Sequence, residues 1–303
     1  MISPSGEQHE ISAGAYRAVV TESGGALRRL SHDGRPLIDG FGADEMSAGG
    51  RGQLLVPWPN RVRDGKFSHR GQDLQLPLTE PGRHNASHGL VRWAAWTLAR
   101  READSVSLTT RVMAQTGWPW TLDVQVTYAL TGDGLTVAQS ATNLAAEPAP
   151  YAAGAHPYLA VGPGPVDDLE LTFPATRRYL TDAQLIPTGE ESTEGTALDF
   201  RDGRRLGGTV LDDCFTGLER DPEGRATTTL RDPRSGEGVA LWVDETWTCL
   251  QLFTADGVPD TARRSLAVEP MTAPPDALNS GTGLVELAPG ETHSGSWGIR
   301  VAE

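Results

Sequence analysis

From residue 105 onward, apolar and polar positions alternate in runs too regular for loops. Val106, Leu108 and Val112 are interleaved with Ser105, Ser107 and Thr109. Leu122, Val124, Val126, Tyr128 and Leu130 alternate with Thr121, Asp123, Gln125 and Thr127, after which Gly132-Asp133-Gly134 leads into Leu135-Thr136-Val137. Period two around a Gly-containing turn predicts an antiparallel hairpin with one face on a core and the other in water. Shorter apolar runs predict further strands at 169–173, 227–230, 239–243, 249–253, 265–268 and 297–301. Before residue 105 the pattern is looser. Residues 16–21 and 26–30 read as short strands divided by Ser23-Gly24-Gly25 and closed by Asp33-Gly34. Residues 51–98, with Pro57, Pro59 and the Asp64-Gly65 turn, read as strands and ordered loops. No amphipathic helix of more than a couple of turns, internal repeat or low-complexity linker interrupts the series. The expectation is an all-β fold, a large antiparallel β-sandwich with few short helices, forming a single domain over 1–303.

Composition narrows the function. A net charge of −14 on 303 residues argues against nucleic acid and anionic membrane as partners, because both demand basic patches. No apolar run approaches the ~18 residues of a membrane span. The opening Met1-Ile2-Ser3-Pro4 carries neither the basic nor the apolar region of a secretory signal, so a cytoplasmic protein is expected. Cys214 and Cys249 are too few for a disulfide framework and lack CxxC spacing. Lys66 is the only lysine, and its turn-like Arg63-Asp64-Gly65-Lys66 setting does not suggest Schiff-base chemistry. The signatures of α/β-hydrolases, P-loop NTPases and Rossmann dehydrogenases are missing from the sequence.

Five stretches carry polar groups that plain strands do not need. In Tyr151-Ala152-Ala153-Gly154-Ala155-His156-Pro157-Tyr158, proline holds the preceding histidine in extended backbone, placing His156 at a strand end or tight turn. An unperturbed imidazole titrates near ~6.5, which suits proton transfer. Pro57-Trp58-Pro59-Asn60-Arg61 presents a guanidinium on stiff backbone, fit to grip oxygen groups. His84-Asn85-Ala86-Ser87-His88-Gly89 has i, i+4 histidines, but with no helix and no third ligand a metal site is not expected. Asp212-Asp213 within Leu211–215 could be a turn or acceptors for hydroxyl groups. Glu269 stands at the end of an apolar run and is followed by Pro270, so it is either ion-paired or a base with a shifted pKa. Trp58, Trp93, Trp96, Trp118 and Trp120 are candidates to stack on a ligand face, although core packing is their commoner use.

In this order the segments resemble the aldose 1-epimerase (galactose mutarotase) family: Asn60-Arg61 with Asp64-Gly65-Lys66-Phe67, His88-Gly89, His156-Pro157-Tyr158, Asp212 with Phe215, and Glu269-Pro270 followed by Pro275-Asp276-Ala277-Leu278-Asn279. The closing Leu287-Ala288-Pro289-Gly290-Glu291 also resembles the family's last turn, and the likeness spans roughly residues 50–300. Singly each motif is weak; their order makes the set specific. The resemblance implies a supersandwich that binds a free aldose without metal or organic cofactor, acting as a monomer or homodimer. It implies Glu269 as general base and His156 as general acid, with His88 beside the ring oxygen. Arg61, Asp212 and Asn60 would bind the sugar, with Asp213 an alternative to Asp212. Glu269-Pro270-Met271-Thr272 departs from the Glu-Thr-Gln of some members, which puts the sugar preference in doubt. The alternatives are a hexose-6-phosphate epimerase using Arg61, Arg63 and Arg92, a catalytically silent sugar-binding protein, and a glycoside hydrolase.

Overall fold

The computed structural model describes residues 2–258 and 260–302. Among them, all ladders are antiparallel, and two large sheets dominate. The nine-stranded sheet runs Thr97–Arg101, Ser105–Val112, Leu122–Thr131, Gly134–Asn143, Thr292–Ala302, Gly238–Val243, Ala226–Arg231, Glu170–Thr172, Arg204–Arg205. The eight-stranded sheet runs Pro187–Ser192, Ala175–Thr181, Asp212–Leu218, Cys249–Phe253, Leu266–Met271, Gly154–Ala155, Leu54–Leu55, and Tyr158–Leu159 also pairs with Leu266–Met271. A four-stranded sheet from Gln8 to Pro36 lies against the first, its opening strands touching Ser105–Val112 and Leu122–Thr131. One hydrophobic cluster extends from Ile11 to Ile299 and fills the interior. Among the described residues, helix is limited to Ala277–Ser280 and a 3-10 turn at Val166–Asp168. This is the expected all-β antiparallel sandwich.

The alternation rule accounts for the hairpin. Leu122, Val124, Val126, Tyr128 and Leu130 are all buried, while Gln125 is exposed. The register runs unbroken from Leu122 opposite Asn143 to Thr131 opposite Gly134. The return strand is longer than its apolar pattern predicts, because after Val137 its inward positions become Gln139, Ala141 and Asn143. Asn143 fits inside by donating its amide to the carbonyls of Glu147 (2.9 Å) and Leu287 (2.8 Å).

The strand expected at 265–268 continues through Glu269 and Pro270 to Met271, and every residue of it is buried. On one side it pairs along Cys249–Phe253, with Gln251 directly opposite Glu269. On the other side its neighbours are Gly154, opposite Met271, and Tyr158, opposite Ala267. Between these lies the non-strand His156-Pro157 segment, so the ladder is interrupted beside Pro270, which has no N–H to contribute. That interruption brings His156 level with Glu269.

Candidate active site

The site begins with a short ribbon in which Arg61–Arg63 pairs with Asn85–Ser87, Arg61 lying opposite Ser87. The residues just outside the ribbon, Asn60 and His88, both adopt left-handed backbone (φ 53° and 62°). For non-glycine residues this conformation costs ~1–2 kcal/mol each. Two reciprocal hydrogen bonds hold it: the His88 N–H donates to the Asn60 carbonyl (2.8 Å), and the Asn60 N–H donates to His88 Nδ1 (3.2 Å). Because Nδ1 accepts, the neutral His88 ring carries its proton on Nε2. Gly89 follows at φ 70°, where a Cβ would lie 2.1 Å from the Val56 carbonyl oxygen, so only glycine lets the loop turn there. The Asp276 carboxylate accepts from the Arg63 N–H (2.9 Å) and the Asn279 amide (2.7 Å), and the Asp276 N–H donates to the Arg61 carbonyl (2.6 Å). The Pro275–Asn279 motif therefore acts as a clamp on the ribbon that presents Arg61.

At the centre, His156 Nε2 lies 3.2 Å from Glu269 Oε1, and both side chains are almost wholly buried. His88 meets His156 edge-on at 5.5 Å between ring centroids. Behind His156 the Tyr158 ring is stacked at 4.9 Å and 15°, and the Arg51 guanidinium covers Tyr158 at 4.4 Å. Arg51 is anchored by Asp39 at 3.2 Å, and the Tyr158 hydroxyl donates to the Gly49 carbonyl (2.7 Å). Gly50 (φ 80°) closes the space: a Cβ on it would stand 2.5 Å from His156 Cδ2. The imidazole is thus held on several sides.

Burial decides the charge of the central pair. Desolvation, reinforced by the Arg92 charge, pulls His156 down to about 3. Desolvation and the neighbouring Asp212 raise the Glu269 carboxyl well above its usual range, against the opposing pull of Arg61 and Arg92. The contact has the distance of an ion pair, but burial pushes both partners toward their uncharged forms. His156 Nδ1 and Glu269 Oε2 have no hydrogen-bond partner among the described residues, which leaves both atoms open to water or a ligand.

Of the two adjacent acids, Asp212 faces this pair and Asp213 does not. Neighbouring residues of a strand point to opposite faces. Gln251 bridges the first face, opposite Glu269 in the ladder and donating its amide to Asp212 Oδ1 (2.9 Å). Burial raises the Asp212 carboxyl against the pull of Arg61. Asp213 instead accepts from Arg178 at 2.7 Å. The structure therefore groups Asn60, Arg61, His88, His156, Asp212 and Glu269. It leaves His84 on the surface, paired with Asp64 at 2.8 Å, so the i, i+4 histidines do not converge. Trp58, Trp96, Trp118 and Trp120 are core residues; only Trp93 of the tryptophan candidates is exposed, at 51%. Cys214 and Cys249 are free and buried.

Several site residues were not foreseen from sequence. Glu80 takes the Arg61 fork, accepting from Nε (2.8 Å) and Nη2 (3.1 Å), while Arg61 Nη1 donates to Asn60 Oδ1 (3.2 Å). Gln53 accepts from the Arg92 Nε (2.8 Å), and Gln251 serves Asp212. Neither Gln53, Glu80 nor Gln251 sits in a recognisable motif. One donor atom from each of His88, His156 and Glu269 lies within 4.8 Å of the others, a spacing that would suit a metal ion. Arg61 and Arg92 bring positive charge to the same space, so the trio is better matched to protons and a neutral or anionic ligand than to a cation.

The chain belongs to the aldose 1-epimerase family, whose model it matches over residues 7–300. The match starts well before residue 50, so the N-terminal sheet is part of the family fold. The chain is 32% identical to the uncharacterized Escherichia coli protein YihR over 95% of its own length and 91% of the relative's. It is 31% identical to human galactose mutarotase over 56% of this chain and 51% of that one. A GalM/aldose epimerase homologue from C. elegans shares the fold with a TM-score of 0.88 at 21% identity, covering 98% of this chain and 99% of that chain.

Proposed function

We propose that this protein is a mutarotase, interconverting the α and β anomers of an aldose by general acid–base ring opening and closure. The observation that carries the reading is the buried His156–Glu269 pair, 3.2 Å apart. In an aldose, the C1 hydroxyl and the ring oxygen are both bonded to C1. An acid and a base standing side by side can therefore serve both oxygens at once. Glu269 takes the proton of the C1 hydroxyl as His156 delivers one to the ring oxygen, the C1–O5 bond breaks, and the C1–C2 bond rotates before reclosure.

The pair must begin with its proton on His156 Nε2. Arg61 and Arg92 draw the Glu269 carboxyl toward its ionised form but also oppose a proton on His156, so the bound sugar's hydroxyls supply the remaining stabilisation of that form. His88, protonated on Nε2, supplies a further donor near the ring oxygen, and Arg61, Asp212 and Asn60 orient the hydroxyls. Each proton transfer contributes about 10²–10⁴-fold. Neither a covalent intermediate nor a redox step is needed, and the reading requires no metal or organic cofactor. Polarimetry of freshly dissolved α-D-glucose and α-D-galactose tests it. Faster decay to the same final rotation, lost in Glu269→Gln and His156→Ala, supports the proposal; near wild-type rates in either variant would refute the roles assigned.

A further inference from the structure

A cleft of about 1080 Å³ opens on the N-terminal four-stranded sheet, and none of Asn60, Arg61, His88, His156, Asp212 and Glu269 lines it. Four arginines do: Arg17, Arg28, Arg29 and Arg264. That is a concentration of positive charge on a chain whose net charge is −14. Two of the three carboxylates on the wall are already engaged. Asp39 is taken up by Arg51 (3.2 Å), Arg264 (2.8 Å) and the Ser265 hydroxyl (3.0 Å), and Glu45 accepts from the Gly42 N–H (2.8 Å). Glu10 alone is left to face Arg17, Arg28 and Arg29, none of which has a carboxylate in ion-pair contact among the described residues.

Arg28 is the residue built into this wall. The ladder pairs Leu27 with Val20 and Arg29 with Val19, so Arg28 is the extra residue of a β-bulge. A bulge re-aims a side chain that regular pleating would direct elsewhere. Gly40 lies so close to the bulge that a Cβ there would stand 1.9 Å from the Arg28 carbonyl oxygen. That approach brings the next residue to the guanidinium, and Arg28 Nη1 donates to the Phe41 carbonyl (3.1 Å). It is the one hydrogen bond of this side chain among the described residues. Arg28 is only 8% exposed, and its Nε is buried without a partner. The unmet Nε–Nη2 edge is the fork with which arginine grips an oxyanion. Burial and the Arg29 charge both work against the Arg28 cation, with Glu10 in its favour. Folding does not call for an enclosed guanidinium whose charge is unmet, because burying an unpaired ion is costly. Beside it the wall is apolar, formed by Val19, Ile38, Phe41 and Pro163. Apolar walls with a few convergent polar groups are the ordinary form of a small-molecule pocket.

We propose that this cleft is a second ligand site, separate from the acid–base pair, that takes a small organic anion. Arg28 receives its carboxylate or phosphate group, Arg17 and Arg29 add charge around it, and the apolar wall covers its body. The inference is independent of the mutarotase reading.

Calorimetric titration with phenyl phosphate, benzoate, inorganic phosphate and benzyl alcohol tests it. Phenyl phosphate or benzoate should bind, and the tighter of the two identifies phosphate or carboxylate as the group recognised. It should exceed both inorganic phosphate and benzyl alcohol by at least about tenfold, since one lacks the apolar body and the other the charge. Arg28→Gln should weaken that binding at least about tenfold, and Arg28→Lys should retain part of it. Arg29→Glu, an exposed reversal that leaves the bulge residue in place, should also weaken it, and added salt should do the same in the wild type. Arg61→Gln and Glu269→Gln, at the acid–base site, should leave it unchanged. Binding of neither anion, or of benzyl alcohol as tightly as the anions, would overturn the proposal. So would binding that survives Arg28→Gln or Arg29→Glu undiminished, or that disappears in Arg61→Gln, which would place the anion in the sugar site. Inorganic phosphate binding as tightly as phenyl phosphate would overturn it too, leaving a site for the inorganic ion alone.

Discussion

Strands Leu122–Thr131 and Leu266–Met271 both lie inside large antiparallel sheets, yet they treat polar side chains in opposite ways. In the first, one face is dry and the other carries its polar residues to partly or fully exposed positions. In the second, both faces are buried, and a glutamate sits in the middle of the enclosed run. A polar group on the first strand meets water; Glu269 meets His156 and leaves one carboxyl oxygen without a partner among the described residues. Folding alone does not call for that arrangement, because an apolar residue of similar size would sit there more comfortably. The contrast separates positions kept for packing from positions kept for chemistry.

The largest effects should come from the enclosed strand. Glu269→Gln preserves shape and removes the base, so turnover should fall by about 10²–10⁴-fold in the polarimetric assay. The same change should stabilise the fold at neutral pH. Burial, then Asp212, raises the folded-state pKa of Glu269 above its unfolded value of 4.5. Its contribution is therefore fully present below about pH 4.5 and is lost as pH rises. A glutamine suffers no such loss, so the variant's advantage should grow from about pH 4.5 upward, with a melting temperature at pH 8 higher by on the order of 2 °C. A melting temperature equal to or below wild type at pH 8 would mean that Glu269 is held ionised by its surroundings, as an ordinary structural ion pair would be. His156 works in the other direction. Lowered to about 3 by burial and Arg92, it contributes stability above pH 6.5 that is lost as pH falls toward 3.

Smaller losses should follow from disturbing the support of the pair. Gly50→Ala places a methyl 2.5 Å from the His156 ring at a φ of 80°, so the imidazole must shift. Turnover should drop by roughly tenfold or more, since displacement of a reacting group by an ångström costs about that or greater. Unchanged turnover in a folded Gly50→Ala protein would show that the precise placement of His156 matters little.

The sequence displayed the open hairpin plainly, because a half-wet strand writes its geometry into alternate residues. Enclosed strands do not. The run ending at Glu269 was legible only as apolar residues followed by an acid and a proline, and its extension to Met271 depended on the interrupted neighbour beside Pro270. The same limit applied to the site. His88, His156 and Glu269 were identifiable through their Gly and Pro neighbours and the family likeness, and the structure brings them together. Glu80, Gln53 and Gln251 carry no such local signal, since their roles arise from pairings across sheets and loops. The isolation of Arg28 was equally hidden, because it depends on which carboxylate each guanidinium meets in space.

The adjacent acids Asp212 and Asp213 compress the comparison into two residues of one strand. The family resemblance favoured Asp212, but the residue pattern itself offered no way to choose between them, because the face of a strand becomes meaningful only when its neighbours are known. In the folded protein Asp212 is reached by the Gln251 amide on the Glu269 face, and Asp213 by Arg178 on the other. Asp212→Asn should therefore lower turnover by at least about tenfold, the usual scale for losing a charged hydrogen bond to a substrate. Asp213→Asn should leave turnover where it was and reduce stability by less than about 1 kcal/mol, because the pair is partly solvated. Glu191, 2.6 Å from Arg178, also remains to hold the guanidinium. Paired rate and urea-unfolding measurements on the two variants decide the matter. Equal losses of turnover would erase the distinction between the faces, and a larger loss in Asp213→Asn would transfer the sugar-binding role to the residue paired with Arg178.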